Sequence, residues 1–350
     1  MKKDVRRLVV IIAVLGVGAP ASAADRHVPS QYSTIQAAYN ACSAGDTVIV
    51  ANGTYNERLQ FTKSGTAGSP ITVQAATDWG AVIDAQNLQV PVGVVIYMDG
   101  SYNVVQGFDI KNGYKGGIEI AGSHNQIIRC NIHHNGATFV STSLGAYGVF
   151  SADTTTDNSY IANYVHNNGR ISLGSNLDHG LYLCGDNELV MNNLIVTNCA
   201  FGIQVRGSGT VTNMQIYNNT IVLNRNRSGL LLWQTVDGVD IANNIFYGNA
   251  GYGIKTSECD GSGVQIRNNL FYANRDGTWN MTNDLSTVSY TLSGNITNSA
   301  PLFVNNASDW HLQSGSPAID AGVTLSIVPD DYDGVTRPQG AAYDMGAYER

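Results

Sequence analysis

Asp178, His179 and Tyr182 stand within five residues of one another, in the run Asn176-Leu-Asp-His-Gly-Leu-Tyr-Leu-Cys184. An imidazole changes charge near neutral pH, and a neighbouring carboxylate can fix which ring nitrogen carries the proton. A phenol three residues on adds a second proton carrier. Such a trio suits taking a proton from carbon or giving one to a departing oxygen. Further along stand Gln204, Arg206, Trp233 and Lys255, with His166 upstream. Two cations, an amide and an aromatic face would together hold an anionic ligand. Glu119 with Asp153 or Asp178 offers the carboxylate pair that hydrolysis would need.

Those residues are positioned by a repeat. Asn-apolar or Asn-Thr pairs recur at Asn131, Asn163, Asn193, Asn219, Asn244, Asn269 and Asn295, at intervals of 25 to 32 residues. Gly followed by an apolar residue keeps phase at Gly117, Gly148, Gly180, Gly202, Gly229 and Gly253. A third mark is another asparagine at Asn135, Asn168, Asn198, Asn224, Asn249 and Asn274. A fixed period in this range signals a solenoid, propeller or array. Each unit holds short alternating apolar runs and no stretch of helical period, which excludes helical repeats. The unit is too short for a four-stranded propeller blade. Three short strands per turn predict an all-β, parallel β-helix. Its asparagines are expected to take left-handed backbone at the corners and to stack as hydrogen-bonded ladders.

In chain order, residues 1–23 read as a secretory signal. Lys2, Lys3, Arg6 and Arg7 precede an apolar run from Leu8 to Val17, and Ala21-Ser-Ala23 supplies a cleavage pattern. The run is too short to span a bilayer, so a secreted or periplasmic protein is expected, with no membrane association after cleavage. Four of the 19 basic residues and one of the 27 acidic ones lie in that segment, leaving a net charge of −11. That balance argues against a nucleic-acid partner. An anionic ligand must then be met by a local basic patch or a bound cation. Cys42, Cys130, Cys184, Cys199 and Cys259 show no metal-ligand spacing and read as small packed residues, with a Cys184–Cys199 bridge as the alternative. Ser33–Cys42 reads as a capping helix with Ser33 as its N-cap. Gly45–Val50, Val82–Asp84 and Val104–Ile110 read as strands, with Asp109 in the place of a ladder asparagine. The long insertions Ala137–Tyr147 and Arg170–Asp178 are expected on the binding face. One domain, residues 24–300, is expected to form the coils, and residues 301–350 a C-terminal cap over the last coil.

The run Gly45-Asp-Thr-Val-Ile-Val-Ala-Asn-Gly-Thr-Tyr55, followed by Ser64-Gly-Thr-Ala-Gly-Ser-Pro-Ile-Thr-Val-Gln-Ala75, resembles the opening of secreted right-handed parallel β-helix polysaccharide lyases. These are of the pectate lyase, alginate lyase and chondroitinase type, with the pectin lyase-like fold. Asp309–Gly322, Asp331–Pro338 and Asp344–Glu349 resemble the tail of bacterial β-helix proteins of the same class. The resemblance implies a right-handed coil and an acidic polysaccharide as partner. No cofactor is required by the sequence, and calcium is the candidate. Asp320, Asp331 and Asp333 are candidates for it, although loop stabilisation is the stronger expectation, and the spacing of Asp186 and Glu188 hints at a cation site.

Aligning the coils on the glycine mark gives one outward column of Glu119, Phe150, Tyr182, Gln204, Leu231 and Lys255. A second holds Ala121, Ala152, Cys184, Arg206, Trp233 and Ser257. Coils stack at about 4.8 Å, so Tyr182, Gln204, Arg206, Trp233 and Lys255 are expected to share a patch roughly 15 Å long. Breaking a uronate by β-elimination needs a neutralised carboxylate, a base and an acid. His179, Tyr182, Arg206 and Lys255 are the candidate catalytic residues, with Asp178 orienting His179. His166, Asp178, Gln204 and Trp233 are the candidate substrate contacts. Asp178-His179 beside a tyrosine also resembles alginate C5-epimerases, without the proline those carry between the two. The expected activity is a secreted polysaccharide lyase acting as a monomer. The alternatives are a C5-epimerase, a glycoside hydrolase on two carboxylates, and a non-catalytic glycan-binding surface protein.

Overall fold

The computed structural model describes residues 23–350 except 87, 89–92, 142 and 283–285. The signal segment, apart from Ala23, lies outside the described residues. Among those described, three long sheets wind as one parallel β-helix. A typical coil passes from Gly116–Ile120 in sheet 1 through Gln126–Ile128 in sheet 2 to Asn131–His133 in sheet 3. The next coil starts at Tyr147–Ser151, in parallel register with the first. The sheets have 10, 11 and 10 strands, and one continuous apolar core fills the tube. No helix among the described residues is long and apolar enough to cross a membrane.

Two of the sequence marks keep phase because they touch. A Cβ on Gly180 would lie 2.7 Å from Nδ2 of Asn198 and 2.6 Å from the carbonyl oxygen of Gly202. The same crowding recurs at Gly117, Gly148, Gly202 and Gly229, each against the corner asparagine of its own or an adjoining coil. The asparagines form the expected ladders. The Asn163 N–H donates to Oδ1 of Asn193 at 2.9 Å, and Nδ2 of Asn193 donates to Oδ1 of Asn219 at 2.9 Å. A buried amide side chain thus satisfies backbone groups that the corner would leave unpaired.

Details differ from expectation. Asn131 is one residue out of register, since Cys130 occupies the ladder position opposite Asn163 and Asn131 pairs outward with Asp109. The left-handed corner residue is the one before the ladder asparagine, as at Asn192 (φ 57°), Asn218 (φ 51°) and Asn243 (φ 57°). The helix is Ile35–Asn40 and its N-cap is Thr34, whose hydroxyl accepts the Ala37 N–H. All five cysteines are free and buried, so no Cys184–Cys199 bridge forms. A third ladder, Asn103–Asn125–Asn158, lies between sheets 1 and 2 and ends at Glu188.

The tail lies beside the coils instead of capping the last one. Phe303, Trp310, Leu312, Met345 and Ala347 cover the outward apolar side of sheet 3 from Leu194 to Leu270. Leu325, Val328 and Tyr343 cover Leu189, Tyr217 and Ala242 on sheet 2. Four left-handed corner asparagines reach out to hold it: Asn192, Asn218, Asn243 and Asn268 donate to the carbonyls of Asp330, Asp344, Val323 and Ala321. A fully buried Arg337–Glu349 ion pair fixes its end. In these coils sheet 1 keeps its outward face free of the tail.

Candidate active site

Sheet 1 carries the columns read from the glycine alignment. Glu119, Phe150, Tyr182, Gln204, Leu231 and Lys255 are register partners in turn, and Trp233 pairs with Ser257. At the middle rungs a cleft of about 130 Å³ is lined by Phe150, Asp153, Tyr182, Cys184, Arg206, Gly207 and Ser208. Arg206 is its best-held group. Its Nη1 donates to the Tyr182 hydroxyl at 2.9 Å, its Nε donates to Oε1 of Gln234 at 3.1 Å, and its guanidinium lies 4.5 Å from the centre of the Trp233 ring. A planar cation stacked on an indole and held at two edges is a fixed cradle for a carboxylate.

Burial raises the Tyr182 pKa, and the hydrogen bond from Arg206 offsets part of that. The phenol is therefore protonated at neutral pH, with a cation beside its oxygen to steady the anion when the proton leaves. Asp153 is exposed at the cleft, and its carboxylate accepts the Ser208 N–H at 3.1 Å. The sequence had pointed to Asp153 only as half of a hydrolytic pair. Gln234 had no signal at all, because its orientation follows a register shift between Trp233 and Thr235.

Tyr182, Arg206 and Trp233 are thus brought together, while the other expected site residues lie elsewhere. His179 opens the same strand but is 3% exposed. Its ring packs edge-on to Tyr182 at 5.5 Å and against Phe201 at 5.6 Å. Burial pulls its pKa down to about 4, against a smaller upward pull from Asp178, so the ring is neutral. Asp178 neither orients His179 nor reaches a ligand. It is fully buried, and both its oxygens bind the Arg170 guanidinium, with the Ala146 and Arg170 N–H groups completing the shell. Burial pushes its pKa up, but those donors outweigh it and hold the carboxyl below its usual range. Arg170 also donates to the carbonyls of Ser141 and Leu144, so this pair ties the two insertions together.

His166 belongs to sheet 3. It stacks on His133 and Tyr164, with one ring nitrogen bound to Asn131 and the other to Asn167. Gln204 is 2% exposed and offers little to a ligand. Lys255 is partly exposed but three rungs from Tyr182, roughly 14 Å away, too far to serve the same carbon.

The cation suggestions do not fit the geometry. Asp186 accepts from the backbone and hydroxyl of Thr212, while Glu188 points into the core. Asp331 accepts the N–H groups of Asp333, Val335 and Glu349, Asp320 that of Ala342, and Asp333 pairs with His311, all loop-stabilising roles. Among the described residues no group of three or more His, Cys, Asp or Glu side chains is arranged to hold a metal ion.

Comparison with known proteins agrees on the architecture. A Pel9A-like, right-handed β-helix region matches residues 19–178, and a right-handed β-helix region matches residues 170–319. Together the two matches span residues 19–319, and both describe the right-handed β-helix into which these residues wind. Pectate lyase L of Dickeya chrysanthemi is 32% identical over 123 residues, which is 31% of this chain and 28% of that protein. The match therefore spans under a third of the relative's length. Among solved structures, the periplasmic alginate epimerase AlgG superposes with a TM-score of 0.52 at 14% identity, covering 73% of this chain and 60% of its own. A GH136 lacto-N-biosidase from Eubacterium ramulus gives 0.52 at 11% identity, covering 79% and 68%. At these identities the likeness is one of fold alone.

Proposed function

We propose that the chain is an exported polysaccharide lyase that breaks a uronate-containing glycan by β-elimination. One observation carries the reading: Arg206 is held between Trp233 and the Tyr182 hydroxyl in a cleft on sheet 1. Pectate lyase L supports it as a relative by sequence.

In this reading the uronate carboxylate docks on Arg206, whose charge acidifies the neighbouring C5–H. The C5 proton passes to a base, the C5–H electron pair becomes the C4–C5 double bond, and the C4–O bond breaks. Tyr182, protonated through burial, gives its proton to the departing oxygen. Asp153, which lines the same cleft, takes the C5 proton in this reading. Trp233 holds Arg206 from behind and presents an edge to the sugar. His179 supports the Tyr182 ring without touching substrate.

The direct test is ultraviolet absorbance of the unsaturated uronate product over a panel of acidic glycans, with and without calcium. A rise on one glycan supports the lyase and names its target. Solvent proton exchange at C5 without cleavage would make the protein an epimerase, and new reducing ends without absorbance a hydrolase. Binding without either would make it a glycan-binding protein.

A further inference from the structure

The two outward columns of sheet 1 are divided by charge at the cleft. On the N-terminal side the first column holds Gln60, Tyr97, Glu119 and Phe150, and the second holds Thr62, Asp99, Ala121 and Ala152. On the C-terminal side, from Tyr182, the first continues with Gln204, Leu231, Lys255 and Asn280, and the second with Arg206, Trp233 and Ser257. Both carboxylates in these columns, Asp99 and Glu119, precede the cleft, and both cations, Arg206 and Lys255, lie at or beyond it. Asp153 extends the acidic side to the cleft mouth. Glu258 follows the cationic rungs, where its carboxylate accepts the Trp233 indole N–H at 3.4 Å.

A groove of this kind does not treat its two arms alike. A polymer with a carboxylate on every sugar would meet Arg206 on one side and Asp99 and Glu119 on the other. Like charges held in one groove repel and disfavour the wrong partner. Arg58 adds a cation at a far-end pocket, beside Gln36, Asn40, Gln60 and Thr62, but the N-terminal rungs nearer the cleft otherwise offer amides, hydroxyls and aromatic rings. Such groups bind hydroxyl-rich sugars without calling for a carboxylate.

We infer that the substrate is a mixed glycan, with uronate on the cleft and the C-terminal rungs and sugars lacking a carboxylate on the N-terminal rungs. This rests on the lyase reading only for the word substrate, because the charge division governs binding whether or not a bond is broken.

The test compares wild type with the Asp99→Asn, Glu119→Gln double variant. Affinity is measured at low salt for polygalacturonate and alginate as homopolyuronates, and for a glycan alternating uronate with a neutral sugar. The variant should shift the affinity ratio about fivefold to tenfold toward the homopolyuronates. The shift should shrink as salt screens the charges. An unchanged ratio, or homopolyuronate preferred by wild type, overturns the inference, as does the absence of binding to either class. Unsaturated product is followed in the same samples. Product with no change of ratio leaves the lyase and removes the mixed glycan, whereas a changed ratio with no product does the reverse.

Discussion

Arg206 can act on a ligand because its own needs are already met: Trp233 covers one face and Tyr182 and Gln234 hold two edges. His179 shows the contrasting case of an attractive residue type in an inaccessible place. With 3% exposure and a pKa near 4, it packs behind the phenol, out of the solvent that fills the cleft. His179→Phe should accordingly keep turnover within about tenfold of wild type, whereas direct proton transfer by His179 would be worth about 10²- to 10⁴-fold. Steady-state kinetics on the substrate found by the panel decides between them. The outward columns were legible because glycine phase sets strand register. Asp178 was misread because its partner, Arg170, comes from an insertion whose path no periodicity describes.

At the scale of the elements, each coil is held by corner ladders, and one rung departs from the rule. Glu188 replaces an asparagine in a fully buried position, accepting from Ser151, Thr155, Asn158 and Tyr160. Burial lifts its pKa from 4.5 to about 7, although those donors pull the other way. A carboxyl whose folded pKa is raised contributes stability that is complete below its unfolded pKa and is lost as pH rises through the folded value. Between pH 4.5 and 8 the wild type should lose on the order of 3 kcal/mol more stability than Glu188→Gln, which has no such proton to release. Urea unfolding of both proteins at the two pH values measures this, and parallel losses would contradict it. The ladders at the other two corners were readable from asparagine spacing. This one was not, because its asparagines stop at Asn158 and the glutamate breaks the pattern.

The whole molecule is a tube strapped along two sides. The strap was legible as a separate segment, but its course was not, since a break in the repeat says nothing of direction. A signal was present in the doubled asparagines Asn192-Asn193, Asn218-Asn219, Asn243-Asn244 and Asn268-Asn269. The second of each pair turns inward to the ladder and the first reaches out to the tail. Arg337 pairs with Glu349 where both side chains have no exposure. Removing one partner strands the other, so Arg337→Ala should cost about 3–5 kcal/mol in chemical denaturation and release the tail to limited proteolysis. Intact protease resistance would mean that the apolar contacts alone hold the strap.

If Arg206 and Tyr182 act as one unit on a uronate, removing either should stop most of the reaction. The measurement that tests it directly is the initial rate of unsaturated-uronate formation by wild type, Arg206→Ala and Tyr182→Phe, with folding of each checked by circular dichroism. Each single variant should lose about 10²-fold or more, and the double variant far less than the product of the two losses. Wild-type rates in either folded variant would contradict that.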